Sequence, residues 1–422
     1  MPHLRPFRAL RYDAHAIADL GRVLCPPYDV ISPERRANLA ARHPRNAVHL
    51  ELPVAGNGGD AYAEAGRLFG AWQADGTLRR DDKPMIYVYE QEYRIDGRPA
   101  RSRGFFCLLG LEPWGNGIRR HELTLSGPKE DRLRLLHAVG ANLSPVLLLY
   151  SSRDLGGPTG PLLDRLTDHR PAVRAGDDEG VEHRLWPAAG NSADVAGLLR
   201  LVSGAPLTVA DGHHRYETAL HYRAEQAAQP TADHERPSNH VLVLLYEAES
   251  GGLAVLPTHR VLRQLRAADR FVEQFAELFV MDRVEGLASA LEAITVGGRM
   301  ALRTPADTFV LTPLPAFVDE VLPDASAELR GLEVSVLNAA LPRLTGADAS
   351  RLVESGQLSY TKSAEEAVGL VETGKAGACV LLPPPRIEAV LAVAANGEQM
   401  PEKSTYFYPK AATGLVFNTL RS

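Results

Sequence analysis

The apolar positions of this chain switch repeatedly between a helical and a strand period, which predicts alternating helices and strands. Ser32 ahead of Pro33 marks an N-cap with proline in the first turn, so Pro33–Arg42 is expected to be a helix. Tyr62, Leu68, Phe69 and Trp72 give an amphipathic helix over Asp60–Asp75, closed by Gly76. Met85–Ile95 and Ser102–Leu111 read as strands about the turn pair Asp96-Gly97. Leu133, Leu136 and Val139 line a helix over Glu130–Val139, and the unbroken apolar run Val146–Tyr150 reads as a buried strand. Asn191–Val202 is then helical, Leu207–Ala210 is a short strand, and a long helix runs from His213 to about Ala228. Val241–Tyr246 is another buried strand, followed by the turn Ser250-Gly251-Gly252. Residues 262–345 are rich in helix formers, with strand-like pieces at Ala301-Leu302 and Phe309–Leu311. Ala376–Leu382 is a strand stopped by prolines 383–385, and Arg386–Ala395 is a helix. The pattern predicts a mixed α/β (α+β) protein with an N-terminal part over 1–250 and a C-terminal part over 251–422. The tail at 400–410 is expected to return to the N-terminal site.

Composition narrows the class. A chain of 422 residues corresponds to two or three domains, and 45% hydrophobic with 23% charged residues is ordinary for a globular protein. A net charge of −6 carries no electrostatic footprint for nucleic acid and disfavours such a partner. The three cysteines, Cys25, Cys107 and Cys379, form no C-x-x-C and cannot all pair, which points to a reducing, cytoplasmic setting. No apolar run approaches the length of a membrane span, and Met1–Leu10 lacks the apolar stretch of a secretory signal. The oligomeric state stays open.

One segment stands out chemically. In Leu207-Thr208-Val209-Ala210-Asp211-Gly212-His213-His214-Arg215, a strand ends in Asp-Gly and a helix opens on two histidines and an arginine. The first turn of a helix offers unpaired N–H groups and a positive dipole end, Gly212 lets a ligand approach, and Arg215 adds a forked donor for an anion. Asp211 is positioned to cap the helix. The plainer reading makes Asp211 a cap only, with the histidines exposed and Arg215 paired to Asp211 or Glu217. His213, Glu217 and His221 share a helix face, but the H-E-x-x-H arrangement is absent and no tightly held protein metal is expected.

A second segment, Arg119–Thr124 and Ser126–Arg132, places Lys129 and Arg132 at a helix start, where the dipole alone would favour acids, so both are candidates to clamp a ligand phosphate. It also sets Glu122, a proton acceptor for a hydroxyl, beside His121; a solvated charged loop explains it equally. Pro26 and Pro27 could orient Tyr28 and Asp29 into a cleft, and the stretch works as well as a structural turn. Lys403, Ser404 and Thr405 could hold phosphate or dock the tail. His259-Arg260, beside a strand end, is a further candidate for the substrate cleft. Neither G-x-x-x-x-G-K-[ST] nor G-x-S-x-G occurs, so P-loop and α/β-hydrolase chemistry are unsupported.

Pro26–Ile31, His121–Arg132, Ala210–Glu217, Leu256–Arg260 and Met400–Lys410 together resemble a bacterial and archaeal family catalogued as domain of unknown function 1015, over nearly the whole chain. Over about ten residues, Asp-Gly-His-His-Arg is also similar to the ParB/sulfiredoxin-like superfamily, whose Gly-x-His-Arg turn binds nucleotide phosphates. That likeness implies a nucleotide-binding core with Asp211, Gly212, His213, His214 and Arg215 at the phosphates. It also implies an ATP- or ADP-dependent kinase of a small hydroxylated metabolite, free L-serine foremost. Mg2+ would arrive with the nucleotide and be held by Asp211 or Glu122, and no organic cofactor is implied. The superfamily kinases use a carboxylate to deprotonate the hydroxyl, for which Glu122, Glu51 and Asp29 are the candidates. A phosphatase of the same phosphometabolite and a nucleotide-binding regulatory module remain the alternatives.

Overall fold

The computed structural model describes the chain except residues 56–57, 96, 116, 124–126, 228–235, 264–267 and 422, together with the side chains of 127, 128 and 268–270. Asp96 of the expected hairpin turn, Thr124, Ser126 and the expected helix end at Ala228 therefore lie outside the described residues. The chain divides into two compact units. One comprises Met1–Arg120, Thr124–Ala254 and Pro409–Ser422; the other comprises His121–Leu123 and Val255–Tyr408. Both are mixed α/β.

The first unit is built on a nine-stranded sheet. Its strands run in the order Ile118–Arg120, Leu207–Asp211, Val146–Tyr150, His240–Glu247, Arg98–Gly110, Met85–Ile95, Glu182–Ala189 and Val173–Gly176, with Leu4–Arg5 pairing off Arg98–Gly110. Leu207–Asp211 lies parallel to Ile118–Arg120, and Val146–Tyr150 parallel to His240–Glu247; the other pairs are antiparallel. Val146–Tyr150 and His240–Glu247 are buried along their whole length, as sheet centres covered on both faces should be. The strand Glu182–Ala189 is not announced by its sequence, because Pro187 breaks the pattern. Val173–Gly176 pairs only with Glu182–Leu185, so Pro187 has a free side where its missing N–H costs nothing.

The helix Gly127–Val139 packs between Ala61–Ala74 and His213–Ala227. The chain's last segment closes this unit: Phe417, fully buried, sits edge-on to Tyr12 and Phe69 at 6.0 and 5.9 Å, and Asn418–Thr419 pairs with Ala141–Asn142. This docking fixes the position of Lys410, which matters below.

The second unit carries a six-stranded antiparallel sheet in the order Phe279–Val284, Thr308–Pro313, Met300–Arg303, Ala378–Leu381, His259–Leu262 and Leu358–Thr361. Phe279–Val284 falls in a stretch read as helix-forming. Six residues are too few to establish a strand period against that background, and the pairing with Thr308–Pro313 decides the outcome. Among the described residues no helix is long and apolar enough to cross a membrane.

Candidate anion-binding site

The strand Leu207–Asp211 is apolar and buried until its last residue. Its register against Val146–Tyr150 shifts between Val209 and Asp211, a bulge that re-aims Asp211 as the strand ends. Gly212 follows at φ +92°, a conformation that strains any residue with a Cβ, and the helix His213–Ala227 begins at once. Tyr216 anchors its first turn: the ring lies 4.5 Å from that of Trp114, and the hydroxyl donates to the Glu112 carbonyl at 2.8 Å.

Asp211 does not serve as a simple helix cap. Its Oδ2 accepts from Arg215 Nη2 at 2.5 Å and its Oδ1 from the Lys410 ammonium. All three side chains are largely covered, with 13%, 11% and 8% of Asp211, Arg215 and Lys410 exposed. Burial opposes ionisation of Asp211, but Lys410 and Arg215 outweigh it and hold the carboxyl well below the usual carboxylate range. Burial likewise opposes the charge on Arg215, which Asp211, Asp29 and Glu51 overcome, leaving its pKa raised. Arg215 Nη1 donates to the Pro145 carbonyl. The guanidinium folds back over Gly212 so closely that a Cβ there would meet Nε at 2.9 Å. Gly212→Ala is therefore expected to cost about 1–3 kcal/mol in urea unfolding. Gly70→Ala, in a helix with open space around the site, is expected to gain about 0.5–1 kcal/mol.

A second buried group adjoins this one. Glu51 is 1% exposed and accepts from Ser144 Oγ at 2.9 Å. Arg132 donates to the Glu51 carbonyl at 2.9 Å, lies 3.9 Å from the Glu51 carboxylate and covers the Tyr28 ring at 4.1 Å. Burial, and after it Asp29, push the Tyr28 phenol up. Glu51, Arg132, Asn142, Ser144, Arg215 and Thr218 line a cavity of about 50 Å³, closed on its other side by leucines and Val241. Asp29 is exposed on the single turn Tyr28–Val30.

The structure thus brings together Asp211, Gly212, Arg215, Arg132, Tyr28, Asp29 and Glu51 of the residues singled out from sequence. His213 is buried beside Trp114 and His214 is half-buried, both in the first turn of the same helix. Lys129 binds Glu217 at 2.5 Å, with Arg120 at 3.8 Å from the same carboxylate. Among the described residues no cluster of three metal-ligating side chains forms. Lys410 ends the Met400–Lys410 motif but was given no role from sequence, and Ser144 belongs to no motif; both were missed as site residues.

The remaining candidates lie in the second unit. Glu122 accepts from the Lys403 N–H at 2.5 Å and the Thr405 hydroxyl at 3.1 Å, and Thr405 Oγ1 also meets His121 Nε2 at 3.0 Å. Lys403 carries φ +55°, and Ser404 Oγ turns in to the Pro401 carbonyl. His259 is 2% exposed and its Nδ1 accepts from the Leu382 N–H, so the ring is neutral there; burial, then Arg260, push its pKa down to about 4. Arg260 is buried, donates to the Thr258 carbonyl at 2.5 Å and stacks on Tyr360 at 5.1 Å.

A family model described as a protein of unknown function, DUF1015, matches residues 4–386. The chain belongs to the DUF1015 family. In this DUF1015 protein Lys410 lies beyond the matched residues. No curated protein matches it in sequence. Several solved structures resemble the DUF1015 chain at low identity. Free serine kinase in complex with AMP is 13% identical, with 69% of this chain and 84% of that one covered and a TM-score of 0.38. A conserved hypothetical protein from Pyrococcus furiosus is 14% identical over 69% and 87%, with a TM-score of 0.36. SbnI with C-terminal truncation from Staphylococcus aureus is 12% identical over 71% and 84%, with a TM-score of 0.36.

Proposed function

We propose that this DUF1015 protein is a nucleotide-dependent phosphotransferase acting on a small hydroxylated metabolite, free L-serine being the first candidate. The observation that carries the reading is the turn after Ala210. A glycine at φ +92° opens the start of the helix, and Arg215, Lys410 and Arg132 supply buried positive charge around it. Phosphoryl transfer asks little covalent chemistry of a protein and depends on positioned cations and helix N-terminal amides around the phosphates. Among the three candidate carboxylates, Glu51 fits the base best. It is buried, lines the same cavity as Arg132 and Arg215, and is held in place by Ser144.

In the proposed step, Glu51 takes the proton of the acceptor hydroxyl as its oxygen bonds to the terminal phosphorus. The bridging P–O bond breaks and the nucleotide leaves one phosphate shorter, with the charge on its new terminus matched by Arg215 and Lys410. Mg2+ would arrive with the nucleotide and supply Lewis-acid neutralisation of the phosphates. As arranged, both oxygens of Asp211 are taken by cations, so this carboxylate fits a metal only after one cation moves.

Incubation with ATP or ADP and L-serine, read by mass spectrometry, is expected to yield O-phosphoserine. Arg215→Lys is expected to lower kcat/KM about 100-fold, because it keeps the charge and loses the fork. Release of phosphate from phosphoserine without nucleotide would instead make the protein a phosphatase. Nucleotide binding with no turnover of any hydroxy acid would make it a regulatory module.

A further inference from the structure

Thr218 is 4% exposed, and its Oγ1 is buried without a hydrogen-bond partner among the described residues. A helical threonine ordinarily returns its hydroxyl to the carbonyl one turn earlier. Thr167, Thr345 and Thr373 do so in this chain, donating to the Leu163, Leu341 and Gly369 carbonyls at 2.9, 2.7 and 2.7 Å. Thr218 instead lines the cavity that Glu51, Arg132 and Arg215 share. A buried hydroxyl left unpaired beside a cavity marks a place for a polar group. Two helix faces build the walls. Arg215 and Thr218 lie three residues apart on His213–Ala227, and Arg132 and Leu136 four apart on Gly127–Val139, so each pair shares a face. The two helices pack against each other. The volume of about 50 Å³ exceeds one water's share of the liquid, about 30 Å³, and falls short of two. That is room for a hydroxyl and the carbon that carries it, with none for a methyl branch.

Resting on the phosphotransfer reading of the site, we infer that this cavity takes the hydroxymethyl arm of the acceptor and restricts the substrate to primary alcohols. The Thr218 hydroxyl donates to the acceptor oxygen while that oxygen's own proton points to Glu51, so Thr218 orients the group that attacks phosphorus. Leu136, in the apolar wall, closes the space where a secondary alcohol carries its extra methyl. A single methyl set against such a wall is discriminated by roughly 10- to 200-fold.

Steady-state kinetics of the full chain with L-serine and L-threonine, using ATP or ADP as donor, provide the test. Wild type is expected to favour L-serine at least tenfold in kcat/KM, and Leu136→Ala to narrow that preference at least fivefold. Thr218→Val keeps the shape of the side chain and removes the hydroxyl. It is expected to lower kcat/KM for L-serine at least tenfold with nucleotide KM unchanged, and Thr218→Ser to restore most of the loss. Because Oγ1 gives up no hydrogen bond in this change, Thr218→Val is also expected to unfold at no lower urea concentration than wild type. A lower midpoint with serine kinetics intact would show a hydroxyl that serves the fold through a bound water, and overturns the proposal. Equal use of L-serine and L-threonine by wild type overturns it without any variant. If wild type phosphorylates no hydroxy acid, the phosphotransfer reading fails and this inference with it. If L-serine is phosphorylated and Thr218→Val matches wild type, this inference alone fails.

Discussion

Asp211→Ala is expected to lose about 3–5 kcal/mol of unfolding free energy, the cost of leaving buried charges without their counter-ion. The ammonium of Lys410 and the guanidinium of Arg215 would both remain in place, and Arg215 would keep the Pro145 carbonyl as a further acceptor. Breaking the exposed pair Arg165–Asp194 by Asp194→Ala is expected to change stability by less than about 1 kcal/mol. Acid sensitivity provides the second readout. The Asp211 carboxyl titrates below its ordinary value in the folded chain, so its stabilisation is complete above the unfolded value of about 4. That contribution is lost as pH falls from there through the lower folded value. Urea unfolding at pH 6 and pH 3 should show this loss in wild type, and Asp211→Asn should lack its share of it.

The second large effect concerns chemistry rather than stability. Glu51→Gln is expected to lower kcat about 100- to 10,000-fold, the usual contribution of a positioned general base, while leaving nucleotide KM nearly unchanged. The amide keeps the shape of the side chain and an oxygen for Ser144 Oγ, so the fold should survive. A parallel rise in KM with kcat intact would assign Glu51 to uniform binding, and Glu122 or Asp29 would then have to be tested in its place.

The division between what the sequence discloses and what it hides follows the range of the interactions. The strand and helix either side of Gly212 are legible because the apolar period changes abruptly there and a glycine marks the join. The candidate role of Arg215 is legible because it sits one turn into that helix. The return of the 400–410 tail is expected from its motif, but the pairing of Lys410 with Asp211 is not: it spans 199 residues, and the tail is held by the docking of Phe417 and Asn418 into a core assembled from the other end of the chain. Glu51 and Ser144 meet across 93 residues, so neither predicts the other from spacing. Glu182–Ala189 was hidden by Pro187, which the sheet tolerates only because its neighbour stops short of it. Local motifs thus expose the turn, and tertiary packing supplies the ions that define its chemistry.

If the turn after Ala210 grips a phosphorylated ligand, isothermal calorimetry with ADP on wild type and Arg215→Ala shows it most directly. Saturable binding by wild type, weakened at least tenfold in a folded Arg215→Ala, is the predicted result. No heat from wild type, or equal affinity in the two proteins, would contradict it.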